Sequence, residues 1–68
     1  MQTAICPGSF DPITLGHLDV IRRASAMFDR VVACVVYNAN KSGLFTLEER
    51  REQVERVTSV FPNVEVVT

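Results

Sequence analysis

Residues 31–37, VVACVVY, decide how this chain folds. The run is short, mostly β-branched and apolar, with no polar alternation, which is the pattern of a parallel-sheet strand covered on both faces. Both flanks carry a helical period instead. Upstream, Leu18, Ile21, Ser25 and Phe28 recur at spacings of three and four, with Val20, Ala24 and Met27 beside them. That predicts a helix over 17–28. Asp19 falls in its first turn, where the helix dipole favours an acid, and Arg22 and Arg23 lie on the solvent side. Downstream, Thr46 and Glu49 form a T-x-x-E capping box that opens a helix over 47–60. Its inward face reads Leu47, Val54, Val57 and Phe61, with Glu52 and Arg56 as an i,i+4 pair outside.

Residues 3–6 read as a first short strand, and residues 64–67 as a third, entered through a Pro62-Asn63 turn. The order is therefore β-α-β-α-β with short connections. Such alternation predicts parallel strands joined by right-handed crossovers, with helices covering the sheet. The fold class is α/β: a Rossmann-like half domain with a three-stranded parallel sheet in the order 3-2-1. In sheets of this kind ligands sit beyond the carboxyl ends of the strands, so both β→α loops open onto one rim.

The composition narrows the partners. A chain of 68 residues lies near the lower limit for independent folding. At that size only about 60% of the unfolded chain's surface is buried. Hydrophobic content of 47% and a mean hydropathy of +0.15 still call for a packed core. Seven basic and eight acidic residues leave a formal net charge of −1, so there is no general pull toward nucleic acid or an anionic membrane. A phosphate site here must be local. No apolar run approaches the ~18 residues that span a bilayer, and the signature of a signal peptide is lacking, so a cytoplasmic protein is expected. Cys6 and Cys34 lie within apolar strand-like runs without CxxC or His spacing, which favours two reduced thiols over a disulfide or a metal site.

The first loop is the unusual one. Residues 5–17, ICPGSFDPITLGH, place two prolines, two glycines and the single histidine in one connection. Neither G-x-G-x-x-G nor G-x-x-x-x-G-K-[ST] is present, which disfavours ordinary dinucleotide and P-loop readings. Gly8 lets the chain leave the strand tightly, while Pro7 and Pro12 stiffen its path. Ser9 offers a hydroxyl and an adjacent backbone N–H at a strand's carboxyl end. Gly16 leaves room for a ligand near the backbone, and His17 follows in the first helical turn, where free N–H groups favour a phosphate. Thr14 can turn its hydroxyl to the same place, and Lys41 brings a positive charge from the second loop. Singly, each has a duller role: Ser9, Asp11 and Thr14 as turn formers, His17 as a cap, Lys41 as a solvated loop residue, Phe10 as a loop anchor instead of a base-stacking platform. Their convergence on one rim carries the case.

PGSFDPITLGH, with FTLEER after the second loop, resembles the phosphopantetheine adenylyltransferase family of the nucleotidylyltransferase superfamily. The superfamily motif is usually H-x-G-H; the T-x-G-H form seen here is the one these enzymes carry. The resemblance spans all 68 residues. It implies transfer of AMP from ATP to 4′-phosphopantetheine, giving dephospho-coenzyme A and pyrophosphate, with Mg²⁺ accompanying the nucleotide. By resemblance, Ser9 and Phe10 match the nucleotide-contacting pair, and Ser9 also meets the second substrate. The family more often has Thr at the Ser9 position, and Ser keeps the hydroxyl. His17 matches the ATP-binding, transition-state-stabilising histidine, and Lys41 the lysine that meets the phosphopantetheine phosphate. No general base is visible, and none is needed for a nucleophile that is already an ionised phosphate.

The family's enzymes are about twice this length or more, so residues 1–68 read as the N-terminal half of such a domain. A sister cytidylyltransferase or nicotinamide-nucleotide adenylyltransferase is disfavoured by Thr14, and a non-catalytic α/β binding module is the alternative of a different class. With the first strand at a sheet edge, self-association is expected, as a homo-oligomer.

Overall fold

The computed structural model describes residues 2–36 and 45–68. Three parallel strands, β1 (Thr3–Gly8), β2 (Arg30–Val35) and β3 (Val64–Val67), form one sheet in the order β1-β2-β3. Between them run α1 (Leu15–Met27) and α2 (Leu47–Thr58). This is the expected Rossmann-like half domain, with β2 at the centre.

The boundaries differ from the sequence reading for local reasons. β1 continues through Pro7 and Gly8. Pro reads as a strand breaker, but Pro7 keeps the β1 register and pairs with Cys34 of β2. α1 begins at Leu15, two residues before the expected start, because Thr14 is its N-cap. That moves Asp19 out of the first turn and into ion pairs with Arg22 (2.7 Å) and Arg23 (2.9 Å). α2 starts where its capping box predicts, with Glu49 N–H donating to Thr46 Oγ1 at 3.1 Å and Thr46 N–H to Glu49 Oε1 at 2.9 Å. It ends at Thr58, whose hydroxyl donates to the Val54 carbonyl at 2.7 Å. The outer ion pairs of α2 run through Arg51 to Glu48 and Glu55; the expected Glu52–Arg56 pair is not among them.

Register identifies the covered face. Ala4 pairs with Val31, Cys6 with Ala33 and Gly8 with Val35, while Val31 pairs with Val64 and Ala33 with Val66. Paired positions of parallel strands share a face. These residues pack with Ile21 of α1 and Val54 of α2, so both helices lie on that side. A sheet whose order advances one strand at a time with crossovers of one hand has this consequence. The opposite face carries Ile5, Val32 and Cys34, and Ile5 is 68% exposed. Among the described residues β2 is therefore covered on one face, where the apolar run predicted two. Val20, Met27 and Val57 are likewise exposed, not core. Cys6 and Cys34 point to opposite faces and are both free thiols.

The amino end of the sheet is closed by polar ties. Gln2 N–H donates to the Asp29 carboxylate at 2.8 Å, and its carbonyl accepts from the N–H groups of Asp29 and Arg30. Asn63 Nδ2 donates to the carbonyls of Ser25 (2.9 Å) and Phe28 (3.1 Å), fastening the end of α1 beside β3. The carboxyl end, with both β→α loops, is left to the site.

Candidate active site

At the carboxyl rim the first loop is held from below by Phe10. Phe10 is 3% exposed and belongs to the hydrophobic core. The ring lies over Gly8, where a Cβ would meet Phe10 Cζ at 3.2 Å. Gly8 is thus favoured by close packing; the positive φ of this turn belongs to Phe10, at 48°. A buried ring cannot serve as a platform for a base, so Phe10 is the anchor.

Thr14 and His17 form the second part. His17 N–H donates to Thr14 Oγ1 at 3.3 Å, and Thr14 N–H donates back to His17 Nδ1 at 3.2 Å. The same capping box opens α2, but here an imidazole stands where Glu49 stands there. The substitution changes what is left over. A carboxylate at this place is purely an acceptor. An imidazole that accepts at Nδ1 carries its proton on Nε2 and keeps one donor for a ligand. The Phe10 ring braces the imidazole in a T-shaped contact, with centroids 5.1 Å apart and planes at 75°. His17 and Ser9 are both exposed. Gly16 lies between Thr14 and His17, and among the described residues a Cβ there would find only Thr14 Oγ1, at 3.7 Å. A hydroxyl, an imidazole donor and free first-turn N–H groups suit an anion.

The two loops are joined by residues that periodicity did not single out. Asp11 Oδ1 accepts from the Phe45 N–H at 3.0 Å, tying the first loop to the end of the second. Arg50, 5% exposed, reaches from the first turns of α2 to the carbonyls of Ser9 (2.7 Å) and Val36 (3.1 Å). The signal for Arg50 was present: it stands three after Leu47 and four before Val54, on the inward face. A charged side chain in an apolar stripe is easily assigned to solvent. Lys41 lies outside the described residues.

Among the described residues no three His, Cys, Asp or Glu side chains gather as a metal cluster, and no helix is long and apolar enough to cross a membrane. The Cytidylyltransferase-like family model matches residues 5–68, and the chain belongs to that family. It is 56% identical, over 66 residues, to a protein named phosphopantetheine adenylyltransferase from Clostridium tetani (strain Massachusetts / E88). That match covers 97% of this chain and 41% of the relative, so the chain spans about two-fifths of the relative's length.

Proposed function

We propose that this chain carries the nucleotide-gripping part of an adenylyltransferase that moves AMP from ATP to 4′-phosphopantetheine, releasing pyrophosphate and forming dephospho-coenzyme A. The observation that carries the reading is the Thr14–His17 pair at the start of α1, with Nδ1 engaged and Nε2 left as an exposed donor. The 56% identity to a protein named for this reaction supports it. Ser9 and the Phe10 backbone would meet the nucleotide phosphates, Ser9 also the acceptor, and Lys41 the acceptor's phosphate.

The chemistry asks for little more than this. The attacking group is a phosphate oxygen, ionised at neutral pH, so proton removal is not the barrier. What must be supplied is alignment and compensation of the negative charge that grows on the transferred phosphorus. His17 Nε2–H is suited to donate to one of those oxygens. Mg²⁺ would arrive with ATP, held chiefly by phosphate oxygens, and would screen their charge. The rim's donor set fits that arrangement, since hydroxyl, imidazole and N–H groups grip phosphate and leave the ion to the nucleotide.

The test is a pyrophosphate-release assay on the full-length protein with ATP and 4′-phosphopantetheine, with CTP substituted for ATP in parallel. Release that requires both ATP and the acceptor is expected. Transfer from CTP alone would assign the site to a cytidylyltransferase, and release with neither nucleotide would end the reading. Lys41→Ala should raise KM for the acceptor more than for ATP, with Lys41→Arg restoring only part, because a planar fork does not reproduce a point ammonium. Equal effects on both substrates would remove Lys41 from the acceptor site.

A further inference from the structure

Arg50 is the only buried charged side chain among the described residues. No carboxylate pairs with it there, its Nε is buried without a hydrogen-bond partner, and Nη1 makes both contacts, to the carbonyls of Ser9 and Val36. Burial of a guanidinium in this way is costly, and an apolar side chain of similar volume would fill the place more cheaply. The arrangement makes sense if holding those carbonyls is what matters.

The Ser9–Phe10 peptide is where it matters. Across a trans peptide the carbonyl of one residue and the N–H of the next point in opposite directions. The cis bond among the described residues is Asp11–Pro12, so Ser9–Phe10 is trans. Arg50 grips the Ser9 carbonyl from the α2 side, which turns the Phe10 N–H away from the guanidinium. No hydrogen bond among the described residues uses that N–H. The buried ring, packed over Gly8, holds Phe10 at its φ of 48° from the other end of the residue.

We infer that Arg50 is a positioning residue of the nucleotide site: by gripping the Ser9 carbonyl it aims the Phe10 N–H as a fixed donor for a phosphate oxygen beside His17. The inference rests on the adenylyl-transfer reading and names a residue that acts through another. Its bond to Val36 anchors the start of the second loop to the same guanidinium, so both rim loops share one fixed point.

The experiment uses the full-length protein with Arg50→Met and Arg50→Lys, pyrophosphate as the probe, and the backbone amide signal of Phe10 in ¹⁵N-labelled protein as the readout. In the wild type, pyrophosphate should shift the Phe10 amide. Arg50→Met should melt no lower than wild type, since it removes a buried unpaired group, yet lose on the order of 100-fold in kcat/KM for ATP, the scale of a misplaced binding group. Arg50→Lys, whose ammonium can meet a carbonyl, should recover about tenfold of that loss. A merely structural arginine would not separate melting from turnover in this way. Wild-type kcat/KM in a folded Arg50→Met protein overturns the inference. So does a Phe10 amide that pyrophosphate leaves unmoved in the wild type, a result available even if Arg50→Met does not fold. If pyrophosphate shifts the Phe10 amide in the wild type and not in Arg50→Met, while the wild type transfers no AMP, the positioning role stands and the substrate reading falls.

Discussion

A single side chain distinguishes the two helix starts on the rim. Thr46 with Glu49 and Thr14 with His17 make the same backbone closure, but only the second leaves a donor facing out. His17→Glu restores the ordinary capping box, so the variant should melt at or above wild type, while a carboxylate set against incoming phosphates should abolish transfer. His17→Ala should lower turnover by 10²–10³-fold, about 2.7–4 kcal/mol, the usual loss for one donor to a developing oxyanion, with a smaller change in ATP affinity. Steady-state kinetics beside thermal melting checks both; weaker ATP binding at unchanged turnover would make His17 a binding residue only. At Gly16 the physics separates stability from binding again. A Cβ fits at 3.7 Å from Thr14 Oγ1, and Ala favours a helix over Gly by up to about 1 kcal/mol. Gly16→Ala should therefore not destabilise the protein, yet should weaken nucleotide binding by occupying the space beside the helix terminus. Titration with ATP would show unchanged affinity if no ligand comes that close.

The elements differ in what sustains them. α2 depends on its cap and on one fully buried anchor. Thr46→Ala should cost about 1 kcal/mol through the lost capping bonds. Val54→Ala should cost about 2 kcal/mol, from about 0.8 per buried CH₂ together with a cavity term, because Val54 has no exposed surface into which the site can relax. Denaturant unfolding of the full-length protein measures both, and a Val54→Ala cost no larger than that of Thr46→Ala would contradict the packing described. α1 adds an exposed ion-pair cluster to its own buried anchor, Ile21. The Arg22 side chain bonded to Asp19 holds that carboxyl below the ordinary aspartate value, and the charge of Arg23 adds to the effect. A carboxyl depressed in the folded state stabilises above its unfolded pKa, and the contribution is lost as pH falls through the folded one. Asp19 is solvent-exposed, so the effect should be small, screened by salt and absent from Asp19→Asn. Acid titrations of the two proteins at low and high ionic strength should therefore converge as salt is added.

For the whole molecule, the described sheet has β1 at its edge and an apolar face beside it on which Ile5 is 68% exposed. An unpaired parallel edge with apolar residues nearby favours pairing with another copy. The 68-residue chain by itself should associate in sedimentation or light scattering, bind nucleotide weakly and show no adenylyl transfer. Ile5→Lys should reduce the association by placing a charge on the open face. A stable monomer that releases pyrophosphate at the rate of the full-length protein would show that these residues form a complete site.

Much of this molecule was determined locally and so was legible in its residues. The β-branched run at 31–37, the helical periods on either side and the T-x-x-E cap each depend on neighbours within a few positions, and they were enough for the β-α-β-α-β order and the rim. Thr14, Gly16 and His17 were legible for the same reason, since a helix N-terminus is built from four consecutive residues. Three things needed the folded chain. Pro7 joins β1 through the register that this strand keeps with β2, where it pairs with Cys34. Phe10 became an anchor because its ring found the space above Gly8, which depends on a φ that no pattern announces. Arg50 acquired its role from carbonyls 41 and 14 positions away in the chain, at the ends of two different strands. Periodicity reports which side of a helix a residue occupies, whereas the partner it meets there is set by how strands and loops converge. A charge on an inward face has meaning only once that convergence exists.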